Sequence, residues 1–298
     1  MKEKLITRRD FIKNSSVAAL AGAALYVNLP KSVYSQVGKK SKVILIRDEN
    51  LVDSQGKLNP EILESMLDQA MRTLLDTEKP QLAWSRLFQS TDIVGIKTNV
   101  WNYLRTPESL EKVVRQKLVT AGVQDRNISV NDRGILYDPV FQKATALINI
   151  RPMRTHHWSG VGTLLKNYIM FVKQPSDYHP DSCADLASIW YLPQVKGKTR
   201  LNILLLFTPL FHSVGPHDFS QQYVWNYSGM LVGFDPVALD ATGVRIIQAK
   251  RLAYFGEERP INPPPKHIFL ADIRHHLGTA DPGKIELIKL GWKKDILI

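Results

Sequence analysis

The densest collection of chemically capable side chains is the stretch ALINIRPMRTHHWSGVGTLLKN, where Arg154, His156 and His157 precede a glycine-containing turn and Lys166 and Asn167 follow it. Arginine and lysine both attract anions, arginine through a planar fork of donors and lysine as a compact point charge. Imidazole moves protons near neutrality, because its ordinary pKa is about 6.5. Gly160 and Gly162 let backbone amides approach a ligand closely, and a helix beginning there presents unpaired N–H groups to an anion. The plainer account of this stretch is a glycine-loosened connection that carries basic residues incidentally.

Other polar residues stand directly after apolar runs: Asp48, Lys97 with Asn99, Asp132 with Arg133, Arg151 through His157, Thr208 through His217, and Asp235. Histidines His156, His179 and His217 are the candidate metal ligands by residue type, since neutral imidazole together with carboxylate suits zinc or iron. No HxH or HExxH spacing supports them. In LVGFDPVALDATG, Asp235 is placed to cap a helix begun by Pro236. Asp240, one turn further on in an apolar helix, needs a partner if it is buried.

Seven apolar runs bounded by turn residues read as strands, near 42–48, 92–99, 128–132, 146–151, 201–207, 230–235 and 267–272. Most are apolar at successive positions, the pattern of a strand covered by helices on both faces. Helical periods fall between them, over Pro60 to Leu75, Pro107 to Ala121, Val161 to Val172 and Pro236 to Lys250. This alternation predicts an α/β fold: a layered, mainly parallel β-sheet flanked by helices. In such sheets ligands bind beyond the carboxyl ends of the strands, where the polar residues above are expected to gather.

The chain has 298 residues, 44% of them hydrophobic and 22% charged, as in an ordinary globular protein. Its net charge of +11 overstates the basicity of the folded part. Lys2, Lys4, Arg8, Arg9, Lys13 and Lys31, against Glu3 and Asp10, supply four of those charges. The remaining basic residues never form a run, so nucleic acid is not an expected partner. One cysteine, Cys183, excludes an internal disulfide and a self-contained iron–sulfur cluster. GxxxxGK[ST], GxGxxG and GxSxG are all missing, which disfavours the common phosphate-loop, dinucleotide and hydrolase classes. The cofactor, if there is one, is unknown.

At the N-terminus TRRDFIK precedes the apolar segment SSVAALAGAALYVNL. Paired Arg8 and Arg9 before a run of this length read as a twin-arginine signal peptide, residues 1–35, ahead of a single α/β domain over 36–298. The twin-arginine translocase is then a partner, and the expected location is the periplasm or another extracytoplasmic space. Export in the folded state fits a protein that acquires its cofactor before transport.

DIVGIKTN, LINIRPMRTHHWSGVGTLLKN, the HSVGP turn and LVGFDPVALDATG occur in the order and at the separations typical of the domain of unknown function 362 family, which residues 42 to 250 resemble. Members commonly show a VxIKPN strand, an INxPKxKTH segment, a GxxKN helix and a DPVALD helix. The resemblance places Lys97, Asn99, His156, Lys166, Asn167, Gly215, Pro216, Asp235 and Asp240 at motif positions and implies an α/β fold. Thr98 stands where proline is usual and Arg154 where lysine is usual, a substitution that keeps a positive charge for anion binding. Relatives carrying ferredoxin-like clusters imply that a redox role here needs a separate partner protein.

The combined expectation is an exported protein that binds an anionic small molecule or cofactor in a basic cleft. Lys97, His156 and Lys166 are its candidate catalytic residues. Asn99, Arg154, His157, Asn167, Gly215, Asp235 and Asp240 are its candidate binding residues. The alternatives are a metal-dependent or redox accessory protein and a non-enzymatic assembly or interaction factor.

Overall fold

The computed structural model of the protein describes residues 40–213, 215 and 218–298, so Arg8, Arg9, Pro216 and His217 lie outside the described residues. One sheet runs through it in the order β3-β2-β4-β6-β7-β1-β8. The strands are β1 (Ser41–Arg47), β2 (Val94–Lys97), β3 (Ile128–Asn131), β4 (Ala146–His156), β6 (Thr199–Leu210), β7 (Gly229–Gly233) and β8 (Ile285–Gly291). A short β5 (Gly160–Gly162) folds back antiparallel on the end of β4. Parallel pairs join β3, β2, β4 and β6, and β1 with β8, while β7 runs against both β6 and β1. The layered α/β expectation therefore holds, with β7 reversed inside a mainly parallel sheet and the short β5 reversed at the end of β4.

Helices α1 (Pro60–Leu75), α2 (Pro80–Leu87) and α3 (Glu108–Thr120) supply one core layer. On the other face lie α4 (Pro139–Lys143), the single-turn α5 (Leu164–Asn167), α6 (Pro236–Phe255) and α7 (Lys266–Ile273). Capping follows the sequence closely. Asn59 accepts from the Glu61 and Ile62 amides at the start of α1, and Asp138 does the same for Val140 and Phe141 at α4. Helix α6 ends on Gly256 at φ 73°, a left-handed position that glycine occupies without steric cost. Side chains such as Ile44, Leu67, Val114 and Ile203 are fully buried, each contributing about 1.5–3 kcal/mol by leaving water.

Two element predictions are corrected. The run at 267–272 is not a strand but most of helix α7, whose buried His267, Ile268 and Ala271 share a helical face. A short apolar run has no period of its own to separate the two. The helix expected over Val161 to Val172 is instead β5, the turn α5 and a 3₁₀ segment, Tyr168–Phe171. Nearly all of it is buried, and Asn167 spends its side chain on neighbouring strands, so tertiary contacts override helical propensity. Strand β4 also continues to His156, so Arg151 to His156 lie on a strand and not in a loop. Helix α2 and strand β8 had no counterpart in the expectation. Among the described residues no helix is long and apolar enough to cross a membrane.

Candidate functional site

Alternation along the strands decides which polar side chains meet. Leu147 and Met153 on β4, and Leu204 and Leu206 on β6, face the core layer of α5 and α6. Lys97 on β2, Asn149 and Arg151 on β4, and Asn202 on β6 keep that same alternation, so they project to that face too. There the covering layer is thin, because α5 is a single turn lying against the ends of β4 and β6. Its Asn167 reaches into the polar group, while the neighbouring Lys166 turns its Nζ to Cys183 and Trp158.

The result is a buried network. Lys97 Nζ donates to Asp132 Oδ1 at 2.5 Å, to the Thr98 carbonyl at 2.7 Å and to Asn167 Oδ1 at 3.3 Å. The other Asp132 oxygen accepts the Val100 amide. Asn167 Nδ2 donates to Asn149 Oδ1 at 2.8 Å and to the Ile150 carbonyl, and Asn149 in turn donates to Asn202 Oδ1. This amide chain clamps β2, β4, β6 and α5 to one another. Asp240 reaches across from α6, where it accepts from Thr163 Oγ1 at 2.7 Å and from the Leu164 and Leu165 amides. It thereby caps α5 and fixes the turn that carries Lys166. Burial pushes its carboxyl up to about 7 against these three donors.

Four cations share the site, and all are nearly inaccessible: Lys97, Arg151, Arg154 and Lys166 are 0%, 4%, 3% and 3% exposed. Among the described residues only Lys97 has a carboxylate in contact. Among those residues the Nε atoms of Arg151 and Arg154 also have no hydrogen-bond partner. Arg154 does reach Asn99 Oδ1 at 3.1 Å and lies 4.4 Å over the Trp101 ring. For Arg151, burial is the dominant influence and brings the guanidinium down to about 10, opposed by the charges of Asp132 and Asp240. Gly162 makes room for it: a Cβ there would stand 3.0 Å from Arg151 Nη2.

Electrostatics set the roles of the remaining groups. Burial alone would raise the Asp132 carboxyl, but the charge and hydrogen bond of Lys97 outweigh it and hold Asp132 below the ordinary carboxylate value. Burial pulls Lys97 down to about 8, with Asp132 opposing, so the pair is ionised at neutral pH. Lys166 also falls to about 8, through burial and the neighbouring charges of Arg151 and Arg154. His156 is driven far below its usual range by burial and by Lys166, Arg151 and Arg154. Its Nδ1 accepts the Trp158 amide, so the neutral ring carries its proton on Nε2. His156 is thus an N–H donor at neutral pH and has no free basic nitrogen to abstract a proton.

The structure brings together Lys97, Asn99, Arg154, His156, Lys166 and Asn167, with Asp240 supporting them. His157 stacks on His156 at 4.7 Å, and Gly215 sits against the Thr155 carbonyl, where a Cβ would approach to 2.8 Å. Asp235 is not part of this group. Because β7 is reversed, its carboxyl end lies at the opposite end of the strands, beside the start of β1, where Asp235 bonds Ser41 Oγ and the Thr279 amide and caps α6. Of the metal candidates, His179 stacks on Trp158 at 3.7 Å, with Trp158 between it and His156. Among the described residues no three histidine, cysteine or carboxylate side chains converge as ligands. A concavity of about 710 Å³ lies on the other sheet face near Leu205 and Phe207 and is lined by none of the four cations.

Arg151 and Asp132 are central to the site, yet sequence reading placed them only among strand-end polar residues. The signal lay in the alternation: in LINIR the polar positions 149 and 151 fall on one face of a strand otherwise apolar. The family model described as domain of unknown function 362 matches residues 129–245, a span that holds Asp132, Arg151, Arg154, His156, Lys166 and Asp240 and begins after Lys97 and Asn99. No curated protein and no solved structure matches the chain.

Proposed function

We propose that the protein is an exported member of the domain of unknown function 362 family that binds an anionic small molecule among Arg151, Arg154, Lys166 and His156. The observation that carries this reading is Arg151, a buried guanidinium whose Nε has no hydrogen-bond partner among the described residues. Leaving such a group unsatisfied costs about 1–3 kcal/mol or more, a cost that an anionic ligand removes. Four cations against Asp132 and a largely protonatable Asp240 leave the site with surplus positive charge. The same surplus disfavours a metal ion, which would add to it.

Thermal unfolding in the presence of phosphate, citrate or pyruvate tests the binding. At neutral pH these anions are expected to raise the melting temperature well beyond chloride of equal ionic strength. The increment shrinks as pH rises above about 8, where Lys166 loses its proton. In the anion-free protein the trend reverses. The unfolded lysines titrate at 10.5 and the folded ones near 8, so stability rises across that window as the penalty for burying their charge is relieved. No anion-specific increment at any pH would refute the reading.

Export rests on TRRDFIK and the apolar segment after it. Replacing Arg8 and Arg9 together by lysine is expected to hold a reporter fused after residue 35 in the cytoplasm of a twin-arginine-competent bacterium. Undiminished export of that variant would count against the route.

A further inference from the structure

Two lysines share the cationic cluster in opposite surroundings. Lys97 is locked by a carboxylate, a carbonyl and an amide oxygen, the set that holds an ammonium ion in place. Lys166 is also buried, but among the described residues its Nζ has no oxygen partner: it meets the Cys183 thiol at 3.4 Å and the face of Trp158 at 5.9 Å. Sulfur is a weak acceptor, and burial raises the Cys183 thiol against the pull of Lys166. Burial is the largest influence on the amine and lowers it to about 8, opposed by Cys183 and reinforced by the cations Arg151 and Arg154 on β4. Desolvation beside other cations is the arrangement that frees a lysine amine for attack on a carbonyl.

An electrophile for such an amine has to fit the rest of the site. Arg151, whose guanidinium lies against Gly162 four residues before Lys166, has an Nε donor that no described residue fills and a charge to pair with a carboxylate. His156, held neutral with its proton on Nε2, offers an N–H to a carbonyl oxygen. A carboxylate joined directly to a carbonyl satisfies both. We infer that Lys166 is a nucleophile that condenses with the carbonyl group of a 2-oxo acid whose carboxylate rests on Arg151 and Arg154. The inference builds on the anion-binding reading above and names the ligand class for that site. In the step, the amine lone pair forms the C–N bond and the two amine protons leave with the carbonyl oxygen as water. The product is an imine, formed with no oxidant or reductant. Asp240 and Thr163 hold the turn that aims the amine, which makes them positioning residues.

Borohydride trapping reads this out on the wild-type chain, with pyruvate and acetone as probes and peptide mass mapping as the measurement. Pyruvate is expected to leave one reduced adduct on Lys166 and none on Lys97, forming at least about 10-fold faster than the acetone adduct because the carboxylate is held. Lys166→Arg, which keeps the positive charge but has no amine to condense, is expected to lose the pyruvate adduct altogether. Equal labelling of Lys166 by both probes would keep the nucleophile and overturn the anion site. Stabilisation by phosphate with no adduct on Lys166 would overturn the nucleophile and leave anion binding intact.

Discussion

Asp132→Asn is expected to lower stability by about 3–5 kcal/mol, because it strands the Lys97 ammonium in the interior without a counter-charge. Asp132 is 5% exposed and Lys97 is fully buried, so water cannot replace the lost partner. Urea unfolding followed by far-ultraviolet circular dichroism measures the loss. The double variant Lys97→Met with Asp132→Asn is expected to be more stable than Asp132→Asn alone, since it removes the orphaned charge along with its partner. The deficit of the single variant also narrows as pH rises. Without Asp132 the folded pKa of Lys97 drops further, and the penalty for its charge disappears as the proton leaves. A single variant within about 1 kcal/mol of wild type would show that the pair is not the buried clamp described above.

Arg151→Met is expected to act in opposite directions on stability and binding. Methionine fills much of the same volume without polar atoms, so the anion-free protein gains about 1–4 kcal/mol on losing an unpaired buried charge. For a domain of this size that corresponds to a rise in melting temperature of roughly 2–4 °C per kcal/mol. At the same time the increment given by phosphate or pyruvate disappears; at a hundredfold excess over Kd that increment is about 2.7 kcal/mol. A structural arginine would behave otherwise, its removal lowering stability and leaving anion effects unchanged. The sign of the change in the absence of anion therefore separates a ligand-binding arginine from a packing one. Arg154→Met makes a useful contrast, because Arg154 already has Asn99 and the Trp101 ring and is expected to gain less.

The two variants probe the same design from opposite sides. Asp132 neutralises one of four buried cations, and the proposed anion would answer the others. Such a site is destabilised when empty, a cost that rigid neighbours must hold in place. The amide chain through Asn167, Asn149 and Asn202 does this, tying three parallel strands to α5 with every link buried.

The layered architecture was legible in the sequence because it follows from local periods and caps. Buried strands are apolar at successive positions, and Asn59, Asp138 and Asp235 each precede a proline that opens a helix. Lys97, Arg154, His156 and Lys166 were likewise recognisable by type and by their place after apolar runs. Only the tertiary structure decided which of these meet. Strand β7 is reversed, which sends Asp235 to the far end of the strands, and no local pattern in LVGFD encodes direction, since side-chain alternation is the same whichever way a strand runs. Pairing was equally hidden: Lys97 and Lys166 look alike in sequence. Which of them meets a carboxylate depends on β3 delivering Asp132 beside β2, a contact across 35 residues that residue type and spacing do not record.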